Sequence, residues 1–293
     1  MLQFKGTKNL SEKQVQTGCS ALHFKVTKNT PVDTPQEFFA QKDGAGNLDD
    51  LNLFDRITVR YNGPRGGQKQ IISELPIFPL LVACTTGPNH MIFENDPATG
   101  KIVGCAFTLQ LGVNGALRLD GDHYISVKTN FQDLATIEMY SIDGVPTSLA
   151  YQYTNAQLDA NVQRTINLNN VNKLILDPMV ELLELNGAEG YTVQVEQAEV
   201  IDIAEGLNDI IALRGNPMTY NRVNGGDIYP VKMGIEATKQ YTGGLFYPTI
   251  GVEGYDSVRV QSPKACYVYT TIVTDLGILE NAQPTVIAVP VAA

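Results

Sequence analysis

"TPQEFFAQKDGAGNLDDLN" at residues 34–52 and "TNAQLDANVQRTINLNNVN" at residues 154–172 are similar stretches of one chain, and they align without a gap. Each begins with a Thr that is followed three residues later by Glu or Gln. This is the capping-box spacing, so each stretch predicts a short helix, and Pro35 suits the first helical position of the first one. The identical pairs are Thr34/Thr154, Ala40/Ala160, Asn47/Asn167, Leu48/Leu168 and Asn52/Asn172.

Each stretch leads into a predicted strand that ends in Asn-Gly, a tight-turn signal. In "FDRITVRYNG", residues 54–63, the side chains of Ile57, Val59 and Tyr61 fall on one face. The second stretch reaches its counterpart, "VELLELNG" at residues 180–187, after an insertion of four residues. Chance similarity of two helix–loop–strand units is one explanation. The other is an internal duplication of a unit of about 120–130 residues, which is the size of a domain.

The composition fits two domains of ordinary size. The chain has 293 residues, and its apolar content of 43% is enough for a core in each half. Charged residues make up only 18% of the chain. Such a low value is found in proteins whose surface is buried against other copies of the same chain, and also in secreted β proteins. We predict a first domain at residues 15–145, preceded by a basic N-terminal arm at residues 1–14, and a second domain at residues 146–290. The joint is the turn-rich "DGVPT" at residues 143–147.

Short runs of alternating apolar and polar residues dominate the chain, with Asn-Gly, Asp-Gly or Gly-Gly between them. "ALHFKVTK", residues 21–28, places Leu22, Phe24 and Val26 on one face. This texture predicts an all-β protein made of sandwiches or barrels. One stretch differs, because "VIDIAEGLNDIIALRG" at residues 200–215 keeps a helical period and predicts an inserted helix.

The charge is acidic overall but uneven. The formal net charge is −10, and this argues against specific nucleic-acid binding by the whole chain. Residues 1–28 nevertheless carry five lysines against the single acidic residue Glu12. An ordinary solvated terminus is one interpretation of this segment, and contact with phosphates or lipid head groups is the other. The lysines are Lys5, Lys8, Lys13, Lys25 and Lys28.

The sequence carries no targeting signal that we recognise. "MLQFKGTKNLSEKQ" is polar throughout, which predicts no signal peptide, and no apolar run reaches the length of a membrane span. The four cysteines are widely spaced without a metal-type pairing, so we expect buried free thiols in a protein made in the cytoplasm. They are Cys19, Cys84, Cys105 and Cys266.

We find no catalytic constellation and predict no catalytic, cofactor-binding or metal-binding residue, so the chain is expected not to be an enzyme. The three histidines, His23, His90 and His123, are expected to be structural. In "LDGDHY", Asp120 and Asp122 flank a glycine, as calcium ligands do in some turns. The rest of a calcium loop is missing, and Asp-Gly is also an ordinary hairpin turn.

The tyrosines are the remaining candidates for a binding surface. Trp is absent, so a sugar platform would have to use some of the 13 tyrosines. "CYVYTT" places Cys266, Val268 and Thr270 on one face and Tyr267 and Tyr269 on the other. We interpret this as a strand with one face in a core and the other in an interface, where Tyr is enriched.

A duplicated, acidic, Trp-free β protein with capped helices in matching loops resembles a known family. It is similar to the double jelly-roll major capsid proteins of tailless icosahedral viruses, particularly internal-membrane bacteriophages of the corticovirus and finnlakevirus type. The resemblance covers almost the whole chain and rests on its size, its two halves and the repeated segments at residues 34–52 and 154–172. The second copy departs from the first by its insertion and its predicted helix.

The resemblance implies two eight-stranded jelly rolls standing upright in a virion, with the chain synthesised in the host cytoplasm. Three chains would form a pseudo-hexagonal capsomer, because two similar domains in each of three chains give six similar lobes. The expected partners are other copies, penton and minor membrane proteins, and an internal lipid membrane contacted by Lys5, Lys8 and Lys13. The rival functions are a viral spike or receptor-binding protein, and a soluble carbohydrate-binding or hydrolytic β-sandwich protein.

Overall fold

The structure is a computed structural model, and its described residues form an almost entirely β protein. These residues are 1–33, 35–40, 55–77, 80–81, 91–177, 180–187, 192–194, 220–222, 228–230, 249–252 and 254–278. The predicted helix at residues 200–215, His90 and Cys84 lie outside them. No described helix is long and apolar enough to cross a membrane.

Strands make up most of the described residues in both halves. The elements of the first half are β1 (Leu2–Gly6), β2 (Lys13–Val15), β3 (Ala21–Val32), α1 (Pro35–Phe39), β4 (Arg56–Asn62), a 3-10 turn (Pro64–Gly66), β5 (Gln68–Pro76), β6 (Met91–Asn95), β7 (Ile102–Gln110), β8 (Ala116–Leu117), β9 (Tyr124–Asn130) and β10 (Leu134–Ile142). Those of the second half are β11 (Pro146–Thr147), β12 (Leu149–Leu158), β13 (Arg164–Asn167), β14 (Val171–Ile175), β15 (Glu181–Gly187), β16 (Thr192–Gln194), β17 (Tyr220–Arg222), β18 (Ile228–Pro230), β19 (Thr249–Gly251), β20 (Tyr255–Gln261) and β21 (Cys266–Asp275).

The strands pair into two large sheets and two small ones. The orders are β1-β10-β3-β7-β6-β17-β18, β19-β14-β21-β12-β5-β4-β9-β2, β13-β20-β15-β16 and β11-β8. The eight-stranded sheet belongs to both halves, because β12 meets β5 in parallel where Tyr153 lies opposite Ile72.

The two halves repeat one antiparallel pairing scheme. In the first half β10 lies between β1 and β3, and β9 lies between β2 and β4. In the second half β21 lies between β12 and β14, and β20 lies between β13 and β15. The next strands outward match as well. β7 lies beside β3 as β19 lies beside β14, and β5 lies beside β4 as β16 lies beside β15.

The first half encloses an apolar core between two sheets. The inward face of β3 contributes Leu22, Phe24 and Val26, as the alternation predicts, and β4 contributes Ile57 and Val59 from the opposite sheet. Burying large aliphatic and aromatic side chains of this kind stabilises the fold by roughly 1.5–3 kcal/mol each. The facing sheets are therefore held together mainly by this cluster.

The second half has its own core, and the two cores lie on opposite faces of β21. Val258 and Val260 of β20 pack in one buried cluster with Cys266 and Val268 of β21. Tyr269, on the other face of β21, belongs to the first cluster. The two faces of this strand differ, as predicted, but the tyrosine face packs against the first core of the same chain and not in an interface with another chain.

The helix prediction is confirmed for the first of the two similar stretches. α1 begins at Pro35, as predicted, and the carboxylate of Glu37 accepts the backbone N–H of Asp33 at 3.0 Å. This partner lies one residue before Thr34, the predicted cap residue whose N–H a capping box would use. Phe38 and Phe39 are fully buried, and the Phe39 ring lies 5.7 Å from that of Phe107.

The helix prediction is wrong for the second stretch. Thr154 to Leu158 form the end of β12, which pairs with β21 along its whole length. The Thr154 hydroxyl lies 2.6 Å from that of Thr270, so cross-strand pairing replaces the predicted helix cap. β12 corresponds to β1 in the pairing scheme, whereas Thr34 follows β3. Aligning the two similar stretches therefore does not align equivalent strands and helices. Asn62 and Asn186, however, do lie at the ends of corresponding strands, β4 and β15.

Candidate functional site

The described histidines make structural hydrogen bonds. Nδ1 of His23, on β3, lies 2.9 Å from the Thr108 hydroxyl of β7. Burial, and secondarily the positive charge of Lys25, lower the pKa of His23. Nδ1 of His123 lies 2.6 Å from the Tyr61 hydroxyl, and the two rings stack with centroids 6.1 Å apart.

The "LDGDHY" segment forms a turn in which Asp120 and His123 have separate partners. Asp120 and Asp122 are exposed, and Asp120 binds the guanidinium of Arg118 at 2.9 Å. Gly121 has φ +56°, the left-handed region that favours glycine in a turn. No three His, Cys, Asp or Glu side chains of the described residues are grouped as a metal site requires.

The N-terminal lysines lie on and between edge strands. Residues 2–6 form β1, the edge strand beside β10, and Lys13 begins β2, the edge strand beside β9. Lys5 is paired with Glu138 at 2.6 Å, although its side chain is 70% exposed. Lys8 is exposed. Contact of these lysines with lipid head groups remains a prediction. In such a contact the Lys5 ammonium would still be paired with the Glu138 carboxylate.

The described thiols are buried and poor nucleophiles. Cys19, Cys105 and Cys266 are free and buried, as predicted. Burial raises the pKa of Cys19 to about 12 and that of Cys266 to about 11. Because the thiolate is the reactive form, these buried thiols are weak nucleophiles near neutral pH.

Among the described residues, a buried ion pair is the one concentration of charge inside the first core. Nζ of Lys28 lies 2.8 Å from Oδ2 of Asp55, and their side chains are only 4% and 0% exposed. The pair ties β3 of the seven-stranded sheet to the residue that precedes β4 in the eight-stranded sheet. A buried charge pair has a large desolvation cost, so a pair in this position calls for an explanation.

The surroundings of the pair hold both side chains in place. The Lys28 ammonium lies 5.2 Å from the centre of the Phe38 ring. Oδ1 of Asp55 accepts the backbone N–H of Gln132 at 2.7 Å. The backbone of Asp55 is fixed as well, because its N–H donates to the carbonyl of Phe39 and its carbonyl accepts from Ile77.

The two carboxylate oxygens of Asp55 have different environments. Oδ2 faces Lys28 but accepts no hydrogen bond from the described residues, so its contact with the ammonium is close without being aligned. Burial raises the pKa of Asp55 to about 6, against the opposing effects of the Lys28 charge and the Gln132 N–H. A cleft of about 670 Å³ opens beside Lys28 and is also lined by Glu37 and Asp133.

This pair was not predicted from the sequence, although the alternation of residues along each strand places both side chains on inward faces. Lys28 is in phase with Leu22, Phe24 and Val26, and Asp55 is in phase with Ile57. Side chains of alternate residues share a face, so a lysine and an aspartate were both predictable on inward faces. The sequence analysis counted Lys28 among the charges of a basic N-terminal segment instead.

No protein-family model and no curated protein matches this chain.

Proposed function

We propose that the chain is a structural virion protein, the major capsid protein of an icosahedral shell. Its fold would be a double jelly roll, and three copies would form a pseudo-hexagonal capsomer. It would catalyse no reaction, and it would be synthesised in the host cytoplasm before entering the virion.

The observation that carries this proposal is the repeated pairing scheme of the two halves. In each half the last two strands lie in two different sheets, and each lies between two earlier strands of the same half. These strands are β9 and β10 in the first half, and they correspond to β20 and β21 in the second half. Such nested antiparallel pairs support a jelly-roll connection. Each half also has its own apolar cluster, which supports two similar lobes in one chain.

Two similar lobes in one chain give a physical reason for a trimer. Three such chains around a three-fold axis present six similar lobes, and a six-lobed tile fills a hexagonal lattice with few gaps. The two halves also share buried contacts, because Tyr153 and Tyr269 of the second half pack into the first core, and this supports a fixed angle between the lobes. A fixed angle between lobes is what a tile needs, whereas a spike would require one half for anchoring and a different half for binding.

The expected partners follow from the same assembly. They are other copies of the chain, penton and minor membrane proteins, and an internal membrane near Lys5, Lys8 and Lys13. Each cation near an anionic bilayer contributes about 1 kcal/mol. The net charge of −10 argues against specific nucleic-acid recognition by the whole chain.

The test is the solution mass of the purified chain, measured by light scattering behind size exclusion. We expect a stable species of three times the 31.9 kDa chain mass. In a purified particle the chain would also be the dominant protein band, whereas a spike protein would be a minor one. A monomer at all concentrations, or a minor band in the particle, would contradict the proposal.

A further inference from the structure

We propose that Lys28 and Asp55 are joined by an isopeptide bond, a covalent cross-link between the two sheets of the first core. The inference starts from their contact: Nζ and Oδ2 lie 2.8 Å apart, and both side chains are excluded from water. This proposal is independent of the function proposed above, because it concerns the chemistry of one residue pair.

The ion pair contains every atom that the reaction needs. A proton passes from the Lys28 ammonium to Oδ2 of Asp55, the free amine attacks Cγ and the Nζ–Cγ bond forms. A second proton then passes from the nitrogen to Oδ2, the Cγ–Oδ2 bond breaks and Oδ2 leaves as water. The ammonium and the carboxylate become one neutral amide and one water, so charge and atoms balance without a co-reactant. Burial, which raises the pKa of Asp55, also makes the initial proton transfer easier.

The neighbouring groups suit this reaction. Oδ1 accepts the Gln132 N–H at 2.7 Å, and this donor is placed to stabilise the negative charge that develops on Oδ1 as the amine adds. Oδ2, which accepts no hydrogen bond from the described residues, is the oxygen that leaves. The water can exit through the cleft beside Lys28.

Burial also favours the product. An ammonium and a carboxylate away from water have a large desolvation cost, which a neutral amide avoids. The Phe38 ring and the surrounding apolar cluster exclude the water that would hydrolyse the bond. The backbone contacts of Asp55 hold the reacting atoms in proximity, which makes the condensation an effectively unimolecular step.

The experiment is the intact mass of the denatured full-length chain, followed by tryptic mapping. We expect the chain to be lighter than its sequence mass by about 18 Da, one water. Trypsin would fail to cut after Lys28, and residues 26–42 would remain joined to residues 43–56. Lys28→Met and Asp55→Ala should each restore the full mass. Asp55→Asn should still cross-link, with loss of ammonia, about 17 Da, in place of water.

Lys5 and Glu138 provide the matched control within the same chain. Their charged atoms are 2.6 Å apart, closer than those of the buried pair, but the Lys5 side chain is 70% exposed. The peptide at residues 1–5 should therefore be released without a cross-link. A full sequence mass in the wild type, or a loss of water that maps to another residue such as an Asp-Gly turn, would overturn the proposal.

Discussion

Replacing Phe107 by Ala tests whether the first core depends on its aromatic centre. Phe107 is fully buried on β7, and its ring centroid lies 5.2 Å from that of Phe24, 5.7 Å from Phe39 and 6.4 Å from Phe131. A buried Phe→Ala change costs about 3–5 kcal/mol. Each favourable ring pair adds about 0.5–1.5 kcal/mol, so we expect the upper end of that range, about 4–5 kcal/mol.

The assay is urea denaturation followed by far-UV circular dichroism, because the chain has no Trp. All variants are compared at one chain concentration, since assembly makes apparent stability concentration-dependent. Phe107→Leu keeps most of the volume and should cost less than half as much. Val162→Ala, at a side chain that is 51% exposed, should change stability by less than about 0.5 kcal/mol. A loss of less than about 1.5 kcal/mol for Phe107→Ala would refute the assignment of this ring to the centre of the core.

The remaining predictions concern the strand correction, the N-terminal edge and one histidine. Thr154→Val removes the hydroxyl contact with Thr270, but valine suits a strand. We therefore expect the free energy of unfolding to fall by only about 1 kcal/mol and the β content measured by circular dichroism to stay unchanged. A gain of stability would contradict this contact. Deletion of residues 1–6 removes β1 and leaves the edge of β10 unpaired, so we expect aggregation, measured by light scattering. If residues 1–6 were a free arm, their deletion would have no such effect. The pKa of His23 is lowered in the fold, so its stabilising contribution is complete above the unfolded value of about 6.5 and is lost as pH falls through the lower folded value. His23→Gln should therefore lose less stability than the wild type on acidification, and equal slopes in a pH series of urea midpoints would argue against this.

The alternation of apolar residues was enough to predict the all-β class and several strands. β3 and β4 carry large side chains on one face, and the predicted inward residues Phe24 and Val59 are fully buried. The reason is that a sheet with one face in a core imposes a period of two on the sequence. The helix at Pro35 was also predictable, because its capping residues are local.

Non-local contacts explain what the sequence did not reveal. Thr154 has a helix-cap spacing, but it lies opposite Thr270 within β12, a strand whose ten residues all pair with β21, and this pairing determines its conformation. β1 was missed because Leu2 and Lys5 are exposed and only Phe4 of the same strand packs against the core. The pairing of Lys28 with Asp55 required knowing that their strands face each other in opposite sheets, which the period of each strand alone does not specify.

Electron microscopy of the purified assembled species tests the central claim most directly. The account predicts class averages with three-fold symmetry and six similar lobes, because each chain contributes two lobes with the same pairing scheme. A three-lobed particle, or one whose two halves differ in size and outline, would contradict the double-lobed tile and the function proposed from it.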